Sequence, residues 1–369
     1  MNVKLKPEKY LRYLVPSTLF GTRRTREILS QNPTIIPHRE DSKEVRITVY
    51  DYNASVFEVH ELKNISACFD FLTRHTVSWI NIDGIRKADV ELLGNHFSVH
   101  PLLQEDILSI NQRPKMDEVD NILFCLMNML YYNPEQHSVE QEQISIVLGK
   151  SFVLSFQEDA NRDVFNSLRE KLKLVNSRIR QSGADYLCYS MLDLIVDHYF
   201  LVMEKIGDRI EELEEEVTRS TTQRTLAKIN TLRKELIVIK RNVVPVRDLV
   251  NGFIRNDSDL LDDRITKYFK DVYDHIVQAN DLSETYRDMM ISLHDLYINN
   301  VNLKMNEVMK VMAIVTCLLA PATVIGGVFG MNFQIIPYTH YPWGFYFAVG
   351  LMILIPIWML TVFKRRGWF

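Results

Sequence analysis

Two stretches near the end of the chain lack any formal charge: residues 311–329 (VMAIVTCLLAPATVIGGVF) and 345–363 (FYFAVGLMILIPIWMLTVF). Each is about 19 residues long, roughly what a helix needs to cross a hydrocarbon core of ~30 Å. The segment between them, MNFQIIPYTHYPWG, has no Lys or Arg, whereas Lys304 and Lys310 precede the first stretch and Lys364, Arg365 and Arg366 follow the second. Basic flanks stay on the cytoplasmic side. The pattern therefore predicts two membrane spans, both termini inside and a short loop outside, with Tyr338, Tyr341, Trp343, Tyr346 and Trp368 as interfacial anchors.

Other shortages narrow the reading further. Only four cysteines occur in 369 residues, Cys68, Cys125, Cys188 and Cys317, and no two share a pairing or zinc-knuckle spacing, so neither a disulfide framework nor a zinc finger is expected. Basic residues do not outnumber acids: the formal net charge is -4, which speaks against nucleic acid as a partner. No P-loop, Gly-rich dinucleotide fingerprint or nucleophile elbow is found, so no enzyme, no ATP-driven pump and no organic cofactor is expected. The first residues, MNVKLKPEKYLRYLV, hold no sustained apolar run, and a cleavable signal peptide is not expected. His96 and His100 are four apart, but Ser98 and Pro101 interrupt a helix there, so ordinary surface histidines are the expectation.

Residues 1–40 carry no clear periodicity and read as an arm. From Val45 period-two alternation begins, over 45–50 and again over 77–82 before Asp83-Gly84, which predicts strands. Apolar spacing of three and four predicts helices over 86–97 and 101–110. Three β-rich runs follow at 121–132, 143–148 and 152–156, the last two joined by Gly149-Lys150-Ser151 as a hairpin, and helical spacing returns over 161–181. Residues 41–183 thus form an expected α/β domain. Beyond it, 185–219 and 222–252 predict a charged helical hairpin, with Pro245 kinking the second helix and the acid run 211–216 either a solvated helix face or a loose attractor of cations. From Leu261 no Pro or Gly occurs until Pro321. A helix starting near Asp262-Asp263, whose acids suit a helix N-terminus, could run ~65 residues, close to 100 Å. The expected divisions are residues 184–310 for hairpin and stalk, and 311–369 for the membrane part.

Along this long helix Asp295, Asn299, Asn302, Asn306, Met309, Met312, Thr316, Ala320, Thr323, Gly327 and Gly330 recur every three or four residues and share one face. Periodicity alone suits either of two uses, close helix packing through Gly326-x-x-x-Gly330 or the lining of a pore. One helix encloses nothing, so a pore requires several copies around an axis. The membrane part of the stripe has no Asp, Glu, His or Cys. A magnesium ion holds its water tightly and needs near-ideal octahedral ligands, so a corridor of hydroxyls and amides would pass it largely hydrated, with Met312 as an apolar constriction.

At these residues the chain resembles the CorA magnesium transporters, the two-span family marked by Gly-Met-Asn after the first span. The signature here is Phe329-Gly330-Met331-Asn332-Phe333, and the likeness extends through Glu105-Asp106-Ile107-Leu108, Gln112-Arg113-Pro114, Asp271-Val272-Tyr273-Asp274-His275, Asn306-Glu307-Val308-Met309-Lys310 and the basic tail. The resemblance implies a funnel-shaped homopentamer in the cell inner membrane, with a cytoplasmic α/β domain, a stalk helix and two transmembrane helices. It implies that Gly330, Met331 and Asn332 form the outer selectivity site, that Asp295, Asn306, Met312 and Thr323 line the pore, where the stripe adds Thr316 and Ala320, and that Asp106 and Asp271 of neighbouring subunits share a regulatory Mg²⁺. Two departures stand out. Ala320 replaces a pore methionine, and the outer loop offers His340 where family members often have an acid.

The expected activity is influx of hydrated Mg²⁺, with Co²⁺ or Ni²⁺ as further cargo, closed by cytoplasmic Mg²⁺. Two alternatives stay open: a zinc or other transition-metal transporter of the same architecture, and a membrane-anchored coiled-coil scaffold.

Overall fold

The computed structural model describes residues 39–73, 76–160, 162, 164–331, 336 and 341–368. The expected arm lies outside these but for its last two residues, as do Asn332, Tyr338 and His340.

A seven-stranded sheet organises the first part of the chain. β1 (Arg46–Tyr52) lies between β2 (Phe57–Leu62) and β3 (Val77–Asp83), antiparallel to both, and β3 runs parallel to β7 (Phe152–Gln157). β6 (Ser138–Leu148), β5 (Ile122–Asn133) and β4 (Lys115–Val119) continue antiparallel, giving the order β2-β1-β3-β7-β6-β5-β4. The β6–β7 link is the expected hairpin, closed by Gly149 N–H donating to Phe152 O at 3.0 Å. β2 and β4 were not legible in the sequence, and both are edges. An edge strand bonds on one side only and tolerates exposed charge; FEVHEL and KMDEV are accordingly half-exposed and have no clean alternation.

The central strands are buried on both faces. On one, Ile80, Ile82, Leu154, Phe156, Phe124 and Leu126 pack with Val90 and Leu93 of α1 (Lys87–His96) and Leu103 and Ile107 of α2 (Pro101–Leu108). Gly94 allows this approach: a Cβ there would stand 2.3 Å from Gln104 Nε2, and Gln104 is buried, donating to Val99 O at 2.8 Å. On the other face Trp79 meets Phe165 edge-on, at 5.8 Å between centroids, and donates its indole N–H to Ser155 Oγ at 2.8 Å. The helical spacing over 161–181 resolves into two short pieces, α3 (Asn166–Lys173) and the single turn α4 (Arg178–Gln181), separated by extended backbone at Leu174.

Four long helices complete the chain: α5 (Ala184–Arg219), α6 (Gln223–Arg255), α7 (Thr266–Phe329) and α8 (Gly344–Arg365). α6 lies on β4, β5 and β6, where Asn128 Nδ2 donates to Asn242 Oδ1 at 2.8 Å and the Glu235 carboxylate accepts Val139 N–H at 2.7 Å. It passes through the buried Pro245 without interruption. α7 is unbroken over 64 residues and includes Pro321. It starts later than the acids suggest, because Asp262 turns back on Arg264, accepting its N–H and guanidinium, each at 2.9 Å.

The chain divides into two compact units. Met1–Glu215 with Gln223–Ser292 forms one, and Glu216–Thr222 with Leu293–Phe369 the other. In the first, Phe269, Val272, Ile276 and Ala279 of α7 are buried, Phe269 stacking on Phe253 at 4.7 Å. Among the described residues three helices are long and apolar enough to cross a membrane, but the most apolar window of α5 is 61% buried whereas those of α7 and α8 are 6% buried. Burial makes α5 a core helix. An exposed apolar window of that length fits hydrocarbon, which leaves α7 and α8 as the spans.

Candidate ion pathway and metal centre

In the second unit the most covered positions on the membrane part of α7 are Ile314, which is buried, and the half-buried Leu318, Pro321 and Ile325; Cys317, Ala320, Pro321, Val324 and Ile325 line a shallow apolar hollow with Ile355 and Met359 of α8. Gly326 also approaches α8: a Cβ there would meet Met352 Cε at 3.6 Å. Thr316, Ala320, Thr323 and Gly327 are two residues out of phase with Ile314, Leu318, Pro321 and Ile325, about 200° around the helix, and all four are exposed, Ala320 also bordering the hollow shared with α8. Asp295, Asn306 and Met312, further down the same face, are exposed too.

Both threonines fix their hydroxyls the same way. Thr316 Oγ1 donates to Met312 O at 2.8 Å and Thr323 Oγ1 to Leu319 O at 3.0 Å. With the proton committed to the backbone, each oxygen turns its lone pairs outward and can only accept. That is the polarity needed to meet the water shell of a cation, whose hydrogens point away from the metal.

At the end of α7, Gly330 N–H donates to Gly326 O at 2.9 Å. A Cβ at Gly330 would sit 3.0 Å from that same carbonyl oxygen, so the closing turn has little room for a side chain. Met331 is exposed. Asn332 lies outside the described residues, and the geometry of the Gly-Met-Asn group as a whole is not described.

In the first unit Asp106 and Asp271 fall on different elements, α2 and α7, and no hydrogen bond or ion pair among the described residues joins them. Asp106 is held by Lys115, whose Nζ is 2.6 Å from Asp106 Oδ2 and 3.0 Å from Asp117 Oδ2. Asp271 is exposed on the first turns of α7. Close to it is a group that sequence reading did not assemble: Asp193 and Asp197 of α5 with His275 of α7, one ligand atom of each within 4.8 Å of the others. Burial, then the Asp197 and Asp271 charges, push the Asp193 carboxyl above the ordinary Asp range, and His275 partly offsets this. His275 Nδ1 is buried without a hydrogen-bond partner and lies 3.9 Å from Asp197 Oδ1.

These residues fit a cation. Carboxylates that repel one another and an orphaned imidazole nitrogen are all relieved by a positive centre. The signal was present as two i, i+4 pairs, Asp193 with Asp197 and Asp271 with His275, but nothing in the sequence says that these two helices pack face to face. The other histidine pair is accounted for otherwise: His96 stacks on Phe69 at 3.8 Å, and His100 Nδ1 accepts Leu102 N–H at 3.2 Å as the cap of α2.

Comparisons with known proteins agree with this architecture. The sequence model of the family described as CorA-like Mg²⁺ transporter protein matches residues 74–365. The cobalt/magnesium transport protein CorA of Thermotoga maritima is 37% identical over 90% of this chain and 93% of its own. The Bacillus subtilis protein YfjQ, named a putative metal ion transporter, is 33% identical over 79% and 89%. Among solved structures, the complete CorA magnesium transporter from Methanocaldococcus jannaschii superposes with a TM-score of 0.73 at 22% identity, over 89% of this chain and all of that one. The full-length CmaX protein superposes with a TM-score of 0.66 at 18% identity, over 89% and 99%. At those identities the structures show the fold alone: an α/β domain, a long helix and two C-terminal helices. The identity and coverage of the sequence relatives carry the remaining step: this chain is a member of the CorA-like Mg²⁺ transporter family.

Proposed function

We propose that copies of this chain, five by the family pattern, surround a pore lined by the polar stripe of α7. Through it hydrated Mg²⁺ enters the cell down its electrochemical gradient, with Co²⁺ and Ni²⁺ as further cargo. The observation that carries this reading is the exposure of Thr316, Thr323 and Gly327, about 200° around α7 from its covered positions, with the threonine oxygens left as acceptors. Lipid gains nothing from such a face, and a ring of copies around water does. In this reading Gly330, Met331 and Asn332 receive the hydrated ion, Met312 forms the apolar constriction, and Asn306 and Asp295 continue the path inward. The names of the Thermotoga maritima and Methanocaldococcus jannaschii relatives, cobalt/magnesium transport proteins, support the cargo.

In the same reading the assembly sits in the cell inner membrane with both termini cytoplasmic. Its partners are the lipid bilayer, copies of itself and divalent cations, not nucleic acid, and it uses no organic cofactor and catalyses no reaction. Cytoplasmic Mg²⁺ closes the pore by bridging Asp106 and Asp271 of neighbouring subunits, Asp271 being backed by Asp193, Asp197 and His275. Loss of the ion leaves carboxylates in repulsion and favours the conducting arrangement.

The test is Asn332→Ala in defined liposomes: Mg²⁺ flux should vanish while the oligomer persists in detergent. Sustained flux through an assembled variant would overturn the selectivity assignment. One observation favours a second reading, transport of a softer cation: an imidazole nitrogen among the ligands suits Co²⁺, Ni²⁺ or Zn²⁺ better than Mg²⁺. Competition between Zn²⁺ and Mg²⁺ flux in the same liposomes separates the two.

A further inference from the structure

The sensor carboxylate on α2 already has a cation of its own chain. Lys115 opens the edge strand β4, and its ammonium bridges Asp106 Oδ2 at 2.6 Å and Asp117 Oδ2 at 3.0 Å. Asp106 is the more enclosed acid, its side chain 16% exposed against 42% for Asp117. The position of Asp106 is fixed from behind: Gln143 Nε2 donates to Asp106 O at 3.2 Å, and Arg39 Nη1 donates to Ile107 O at 3.3 Å. α2 is therefore held while the ammonium, on a flexible stem, is the partner able to leave.

We propose that Lys115 is a tethered competitor of the regulatory cation: it occupies Asp106 when no divalent ion is bound, must withdraw toward Asp117 when one binds, and so sets the Mg²⁺ concentration at which the pore closes. The inference rests on Asp106 being a sensor ligand. A divalent ion on the same carboxylate repels the ammonium at 2 to 3 Å, so metal binding and the Lys115–Asp106 bond oppose one another. Asp117 supplies the alternative seat that makes withdrawal feasible. Because the Lys115–Asp106 pair lies within one chain, it does not depend on how neighbouring subunits are arranged, and its removal acts on cation binding directly.

The experiment is protection of the full-length, detergent-solubilised protein from limited proteolysis across a Mg²⁺ titration, in parallel with calorimetric Mg²⁺ binding. Lys115→Gln should move both midpoints to roughly 3- to 10-fold lower Mg²⁺, the strength of a partly buried ion pair. Lys115→Arg, which keeps the charge, should stay within about twofold of the wild type by the same logic. In an Asp106→Asn background Lys115→Gln should have no further effect. A purely structural role for Lys115 predicts lower thermal stability and a midpoint that is unchanged or higher. That result, with Asp106→Asn still raising the midpoint, overturns the competitor and leaves the sensor standing. If Asp106→Asn leaves the midpoint where it was, the sensor reading itself fails and the inference falls with it. Should Lys115→Gln fold poorly, Lys115→Met keeps the apolar stem and gives the same reading.

Discussion

His275 Nδ1 on α7 faces Asp197 Oδ1 on α5 across 3.9 Å, buried and without a hydrogen bond. The gap is too wide for a direct bond and short enough for both atoms to turn to one cation. Imidazole adds little for Mg²⁺ and much for Co²⁺ or Ni²⁺. His275→Ala should therefore weaken Co²⁺ binding by about tenfold or more and Mg²⁺ binding by less than about threefold, measured by calorimetry and Co²⁺ absorption on the detergent-purified protein. Equal losses for the two ions would remove His275 from the ligand set.

The pore reading depends on the Thr316 and Thr323 hydroxyls, which donate to backbone carbonyls of their own helix and offer only acceptor lone pairs outward. Thr316→Val and Thr323→Val keep the side-chain shape and remove the hydroxyl, both its outward acceptor and its bond to the backbone carbonyl one turn back. Flux of Mg²⁺ in liposomes should fall several-fold for each, on the order of one lost hydrogen bond to a charged shell, while Thr→Ser at either site restores it. Wild-type flux through both valine variants would place the stripe in helix packing instead.

Glu142 on β6 is buried, accepts Glu158 N–H at 3.1 Å and Asp159 N–H at 3.0 Å, and accepts the Tyr131 hydroxyl at 3.1 Å. Burial pushes its carboxyl up to about 7, with the backbone bond to Asp159 opposing and the Glu158 charge adding to the rise. A folded-state value above the unfolded one means that the folded form binds the proton more tightly. Its stabilising contribution is then complete below about pH 4.5, declines as the pH rises through about 7, and is absent above. Glu142→Gln keeps an acceptor for both N–H groups and never ionises. Thermal melts should show the variant gaining on the wild type from pH 5 to 8, by ~3 kcal/mol at most. A constant difference across that range would contradict the assignment.

Gly94 lets α2, and with it Asp106, nest against α1. Gly94→Ala forces Gln104 out of its buried bond to Val99 O, which should cost about 1–3 kcal/mol and raise the Mg²⁺ needed for protection from proteolysis. Unaltered melting and an unaltered Mg²⁺ midpoint would show that Gln104 relocates freely.

Much of this protein is legible in its sequence because the signals are local. Strands β1, β3, β5, β6 and β7 announce themselves by alternation or continuous apolar runs, and α7 by the lack of any breaker from Leu261 to Pro321. Where local signal is weak the reading failed. The edges β2 and β4 bury too little to pattern their residues, the helical spacing over 161–181 hides a break at Leu174, and Asp262 prefers its ion pair with Arg264 to the start of a helix.

The sequence by itself determined what depends on one stretch of chain: two uncharged runs long enough for a bilayer, the basic flanks that orient them, and the period that gathers Thr316, Ala320 and Thr323 on one face. Only the tertiary structure decided what depends on separate stretches meeting. It chose which of three apolar helices stays inside the protein, which side of α7 is covered by α8, that Lys115 already occupies Asp106, and that Asp193, Asp197 and His275 converge. Periodicity reports which residues share a face, but the partner of that face is set by the packing of the whole chain.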